Sequence, residues 1–228
     1  MQRIFHTPEG VRDIYSQECS RKQKLQEKLH RVFHQYGFED IETPTFEYFE
    51  VFSKEVGTIP SRALYKFFDR EGNTLVLRPD FTPSVSRACA TYFNPEKEVV
   101  SLCYTGNTFI NNSSFRGRLK ETTQMGVERM GDDSPEADAE ILAMTVECLL
   151  ATGLTEFQVS VGQVDYYKAI FAQTGMSQEE EEELRELISQ KNYFGVEELV
   201  KNKNMDKSLA RVLSQLPQMF GSTEVLEK

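Results

Sequence analysis

Residues 104–128, YTGNTFINNSSFRGRLKETTQMGVE, constrain the fold more than any other stretch of this chain. They begin as a strand, turn through a polar loop and return as a strand, so the two limbs pair antiparallel. The strand EVVSLCYTG, 98–106, feeds directly into the first limb. A sheet built around such a hairpin is not a doubly wound parallel sheet. No GxGxxG follows a strand, and strands do not alternate regularly with helices. A P-loop, GxSxG and HExxH are absent as well.

Around the hairpin the chain alternates between clear helices and short strands. Leu25, Leu29, Val32, Phe33 and Tyr36 form one apolar stripe on a helix that starts near Ser16 and stops at Gly37. FEDIETPTFEYF then reads as a strand broken at Pro44. LYKFFDREGNTLVLRPD reads as two strands around the turn residues Glu71, Gly72 and Asn73. TPSVSRACATYF reads as a helix with Thr82 as N-cap and Pro83 at its first position. In SPEADAEILAMTVECLLATG, Ser134 caps, Pro135 opens the helix, Glu136 suits its positive end, and Gly153 follows it. EFQVSVG, 156–162, reads as a further strand with Phe157, Val159 and Val161 on one face. From Tyr166 the pattern is helical, and Glu179 to Glu183 form a solvated face because Leu184, Leu187 and Ile188 continue with core spacing. The expected class is α+β, an antiparallel sheet flanked by helices. Residues 1–165 are expected to form the core and 166–228 a mainly helical segment; either residues beyond Lys228 complete the sheet or the natural protein is unusually short.

Composition narrows the function. Of 228 residues, 39% are hydrophobic and 27% charged, as in an ordinary soluble globular protein. No apolar run reaches the ~18 residues that span a bilayer, and MQRIFHTPEG lacks the apolar core of a secretory signal. Cys19, Cys89, Cys103 and Cys148 are scattered, which suggests reduced thiols in a cytoplasmic protein. The net charge of -10 repels phosphodiester backbones, and Arg116, Arg118 and Lys120 form the only compact basic cluster. His30 and His34 lie one helical turn apart, so a metal pair is conceivable. Because the apolar stripe lies elsewhere, two solvated side chains are expected, and no metal.

The returning limb carries the candidate site. Gln124, Gly126 and Glu128 alternate with Met125 and Val127, giving one polar and one apolar strand face. A glycine between two polar side chains leaves room for a small ligand against the backbone. Read on residues alone, the favoured expectation is a solvated sheet face, with Asp80 capping the helix after it.

Four ordered segments resemble the class II aminoacyl-tRNA synthetase core, and specifically its histidyl branch. TPEGVRD (7–13) resembles the entry segment, and YGFEDIETPTFE (36–47) the dimer-forming first motif. LRPDFTPSVSR (77–87) resembles the strand-to-helix segment of the histidyl enzymes, and the hairpin takes the place of the second motif. The resemblance holds to about Asp165 and is weak beyond it. It implies that Asp80, Thr82, Gln124 and Glu128 bind the α-ammonium group of histidine, which two carboxylates and an amide suit on charge grounds.

The departures point to one family. The synthetases carry an arginine directly after the phenylalanine of the second motif and a glutamate two residues later; here these places hold Ile110 and Asn112, followed by Ser113 and Ser114. That arginine steadies charge during adenylation, and losing one such donor costs ~10²–10³ in rate. No segment resembling the third motif precedes Lys228. The pattern resembles the regulatory subunits of short-form ATP phosphoribosyltransferase. The resemblance implies a non-catalytic, cofactor-free, cytoplasmic protein that dimerises, joins a separate catalytic subunit and mediates inhibition by L-histidine, without tRNA or a membrane. A divergent histidyl-tRNA synthetase is the enzyme alternative, against which Ile110 stands. A dimeric pseudo-synthetase serving another complex is the other alternative.

Overall fold

A twenty-residue helix is the first regular element among the described residues and covers one face of the main sheet. In this computed structural model, residues 5–53, 59–112, 117–202, 206–219 and 221–227 are described. Helix α1, Ser16–Gln35, ends at the Tyr36 cap, and Gly37 follows with φ 78°, a left-handed conformation that glycine adopts without cost. Val32 and Phe33 are buried and Leu29 and Tyr36 pack beside them, whereas Leu25, at the start of the predicted stripe, is 40% exposed.

Pro44 divides the next segment as its sequence suggests, into β1, Glu39–Asp40, and β2, Phe46–Tyr48. A short helix α2, Glu50–Ser53, follows. Strands β3, Lys66–Phe68, and β4, Thr74–Leu77, form the expected hairpin. Asp69 closes its turn, accepting the backbone N–H groups of Glu71 and Asn73. Helix α3, Thr82–Tyr92, precedes the long hairpin of β5, Val100–Phe109, and β6, Glu121–Met130. Helix α4, Pro135–Thr152, has the predicted ends: Ser134 accepts the N–H of Ala137, and Gly153 closes it at φ 93°.

The strands form two sheets. One has the order β1-β5-β6 and the other β2-β4-β3. All pairs are antiparallel except β1 with β5, which run parallel with Asp40 opposite Cys103. Side-chain alternation then splits β5 between two cores. On one face Cys103 packs with Val32, Phe33, Phe38 and Met144 of the α1 and α4 layer, with Met125 and Val127 against them. On the other, Leu102 and Tyr104 pack with Phe81, Val85 and Cys89 of the α3 layer. Glu47, almost fully buried, accepts Nε and Nη2 of Arg87 at 3.0 and 2.7 Å, tying β2 to α3.

The chain divides between Gln158 and Val159 into two compact units. The second contains α5, Val164–Phe171; α6, Gln178–Ser189; α7, Tyr193–Asn202; and α8, Lys207–Gln215. Phe171, Leu184, Val196 and Leu213 centre its core. Ser177 and Glu180 form a capping box that opens α6, and its acidic run continues into buried Leu184.

Two local expectations fail. Residues 156–162 form no strand, because alternation prepares a strand but only a ladder partner makes one, and none pairs with them among the described residues; Val161 is 72% exposed. Thr82 is not the N-cap of α3. Phe81 occupies that place, Thr82 is the first helical residue, and its hydroxyl is bonded elsewhere.

Candidate functional site

The four predicted residues meet on the α3 face of the main sheet. β6 projects Gln124 and Glu128 to the same side, and the turn into α3 brings Asp80 and Thr82 over them. Thr82 Oγ1 donates to Glu128 Oε1 at 2.6 Å. Gln124 Nε2 donates to Asp80 Oδ1 at 3.1 Å, an oxygen that also accepts the N–H of Phe81 at 2.7 Å. Asp80 therefore steadies the helix entry and faces the site at once. Among the described residues, neither Asp80 nor Glu128 forms an ion pair with a cationic side chain.

A stack of three side chains, unremarked in the sequence pattern, supports this face. The Arg78 guanidinium lies 4.0 Å from the centroid of the Phe81 ring, and Phe81 stacks on Tyr104 with centroids 4.3 Å apart at 8°. Arg78 is buried and held by carbonyls: Nε donates to Asn107 at 2.9 Å and Nη1 to Thr43 at 2.8 Å. Tyr104 is 4% exposed, and its hydroxyl lies 3.4 Å from both Glu128 Oε1 and Gln124 Nε2.

The stack changes the role of glycine here. Gly126 pairs with Tyr104 across the ladder, and a Cβ on it would come within 2.6 Å of Tyr104 Cζ. The space above Gly126 is thus filled by the tyrosine, and the Tyr104 hydroxyl, not bare backbone, faces the cluster there. A Cβ on Gly106 would lie 2.7 Å from Phe81 Cζ. Both glycines admit the stack.

The electrostatics follow from burial. The Glu128 carboxyl is held above the usual 4.5, first by desolvation and also by nearby Asp80, with Thr82 and Tyr104 opposing the shift through hydrogen bonds. Burial, then the charges of Glu128 and Asp80, push the Tyr104 phenol up, so it remains a neutral donor.

At the far end of the hairpin the strand ladder closes through backbone hydrogen bonds. Ile110 N–H donates to Lys120 O at 2.9 Å, and Asn111 N–H to Ala63 O at 2.8 Å. The entry segment lies against this end, Gly10 O accepting the N–H of Lys120 at 2.7 Å. Ser113, Ser114 and Arg116 lie outside the described residues, so Arg118 and Lys120 alone represent the basic cluster.

On the opposite sheet face, His34 is half-exposed, as expected, and His30 is partly buried. Both rings bond Asp40, His30 Nδ1 at 3.1 Å and His34 Nε2 at 2.9 Å. Spacing along α1 shows the pair; only the parallel β1–β5 ladder brings Asp40 beneath it. All four cysteines are free thiols, and burial with Asp40 nearby pushes Cys103 up to about 12.

A sheet carrying a long antiparallel hairpin, flanked by helices and bearing a carboxylate–amide cluster, defines a class II aminoacyl-tRNA synthetase-like core. The family model for histidyl-tRNA synthetase matches residues 10–228, and the chain belongs to that family. Within it, the chain is similar to ATP phosphoribosyltransferase regulatory subunits. It is 42% identical to that of Acetivibrio thermocellus, over 98% of this chain and 54% of the relative. It is 39% identical to that of Ruminiclostridium cellulolyticum, again over 98% and 54%. A solved ATP phosphoribosyltransferase regulatory subunit/histidyl-tRNA synthetase from Bacillus halodurans superposes with a TM-score of 0.87 at 31% identity, over 100% of this chain and 59% of that one. The chain spans about half the length of the curated relatives it matches.

Proposed function

We propose that this chain is the synthetase-like part of a non-catalytic regulatory subunit of ATP phosphoribosyltransferase, which activates a separate catalytic subunit and conveys inhibition by L-histidine. One observation carries the reading. One hairpin carries Gln124 and Glu128, which bond Asp80 and Thr82 at the start of α3, and at its far end Ile110 and Asn112, where the synthetases place an arginine and a glutamate. Among the described residues, Asp80 and Glu128 are two carboxylates without a cationic side-chain partner, and the α-ammonium of an amino acid supplies that charge. Thr82 holds the Glu128 oxygen, Gln124 holds Asp80, and Tyr104 presents a neutral hydroxyl between them.

Histidine bound there inhibits the complex only by preferring one of its states, a coupling typically worth ~1–3 kcal/mol. Assembly as a two-fold dimer through α1 and residues 36–47, in the cytoplasm, belongs to the same proposal. The test pairs two assays. With histidine and ATP, the protein gives no pyrophosphate exchange and charges no tRNA; added to the catalytic subunit, it raises phosphoribosyl transfer to ATP. Clear exchange activity would identify a working synthetase instead.

A further inference from the structure

We propose that His30, His34, Asp40 and Cys103 form a tetrahedral site for zinc on the α1 face of the main sheet, opposite the ammonium cluster. One donor atom from each residue lies within 4.8 Å of all the others. The fold supplies the convergence. His30 and His34 stand one turn apart on α1 with ring centroids 5.7 Å apart, and Asp40 and Cys103 are register partners in the parallel β1–β5 ladder. Three donors already point at one carboxylate: His30 Nδ1 lies 3.1 Å and Cys103 Sγ 3.4 Å from Asp40 Oδ1, and His34 Nε2 lies 2.9 Å from Asp40 Oδ2. Tetrahedral bonds of ~2.0–2.3 Å place donors roughly 3.3–3.7 Å apart, so the widest separations close by about an ångström.

The surroundings also match. His30 Nε2 lies 2.6 Å from the Thr105 hydroxyl, the outer hydrogen bond that fixes a ligating imidazole and turns its other nitrogen to the metal. One sulfur, two imidazoles and one carboxylate suit zinc and exclude calcium or magnesium, which require oxygen shells. Cys103 closes the site from the buried side, while His30 and His34 also line a shallow open hollow on α1 with Glu27, Arg31 and Gln35. A bound ion would join the last turns of α1 to β1 and β5.

Cobalt(II) substitutes for zinc and reports geometry. Titrated into the metal-free, untagged protein, it should give one equivalent of intense tetrahedral d–d absorption and a thiolate charge-transfer band, both displaced by zinc. Cys103→Ser should abolish the charge-transfer band. His34→Gln, at a half-exposed position that leaves the core intact, should weaken binding at least ~10-fold, and Thr105→Ala ~10–100-fold. Zinc should raise the thermal midpoint of the parent protein more than that of His34→Gln. Absence of the bands, or binding that His34→Gln leaves unchanged, would overturn the assignment and leave the four residues a hydrogen-bonded network.

Discussion

Gly126 shows how closely one residue is bound to the site. Its missing side chain is the room occupied by the Tyr104 hydroxyl, and Tyr104 is pinned from behind by Phe81 and Arg78. Gly126→Ala should therefore cost ~1–3 kcal/mol by overpacking and should weaken histidine binding, as thermal unfolding and calorimetric titration would record. Adding Tyr104→Phe, which removes the nearest atom, should return part of the stability. Glu128 makes a second, pH-dependent prediction. Its folded pKa is raised, chiefly by burial, so its favourable contribution is complete below the usual 4.5 and is lost as pH rises through the folded value. Glu128→Gln escapes that loss and still accepts from Thr82. Its unfolding midpoint at neutral pH should equal or exceed that of the parent, the difference closing below 4.5. Histidine affinity of the parent should fall over the same range, because a protonated Glu128 offers no charge to an ammonium group. A large destabilisation of the variant at neutral pH would make Glu128 a structural carboxylate.

Among the polar ties between elements, the one from Arg87 to Glu47 joins α3 to β2 through a nearly buried carboxylate. Arg87→Ala would strand Glu47, 8% exposed, without its guanidinium, at a cost of ~2–3 kcal/mol in urea unfolding, while Arg87→Lys should recover part of it. Elements also differ in how far their sequence announces them. Both ends of α4 are readable, since Ser134, Pro135 and Gly153 act through bonds within a few residues. The alternation Gln124, Gly126, Glu128 likewise marks the polar face of β6, because strand geometry fixes it locally. Thr82 misleads for the opposite reason: a hydroxyl suited to capping is drawn to Glu128, 46 positions away. Residues 156–162 alternate like a strand, yet pairing is a property of the neighbour. The Arg78–Phe81–Tyr104 stack and the Asp40 cluster stay hidden because each joins segments that only the sheet register brings together.

The molecule as a whole keeps the scaffold of a synthetase hairpin, with a polar cluster assembled along β6 and with Ile110 and Asn112 where the synthetases carry charge. If α1 and residues 36–47 form the two-fold interface, sedimentation at micromolar concentration should give twice the 26.2 kDa chain mass. A monomer under those conditions would remove this interface from the account. The measurement closest to the central claim is phosphoribosyl transfer by the reconstituted complex across a histidine titration, for the parent and for Glu128→Gln. Loss of a charged hydrogen bond to the ligand is worth ~1.5–3 kcal/mol, so half-inhibition should move to roughly 10–100-fold more histidine. An inhibition curve unchanged in a complex that still assembles would contradict the account, because histidine would then act somewhere other than this cluster.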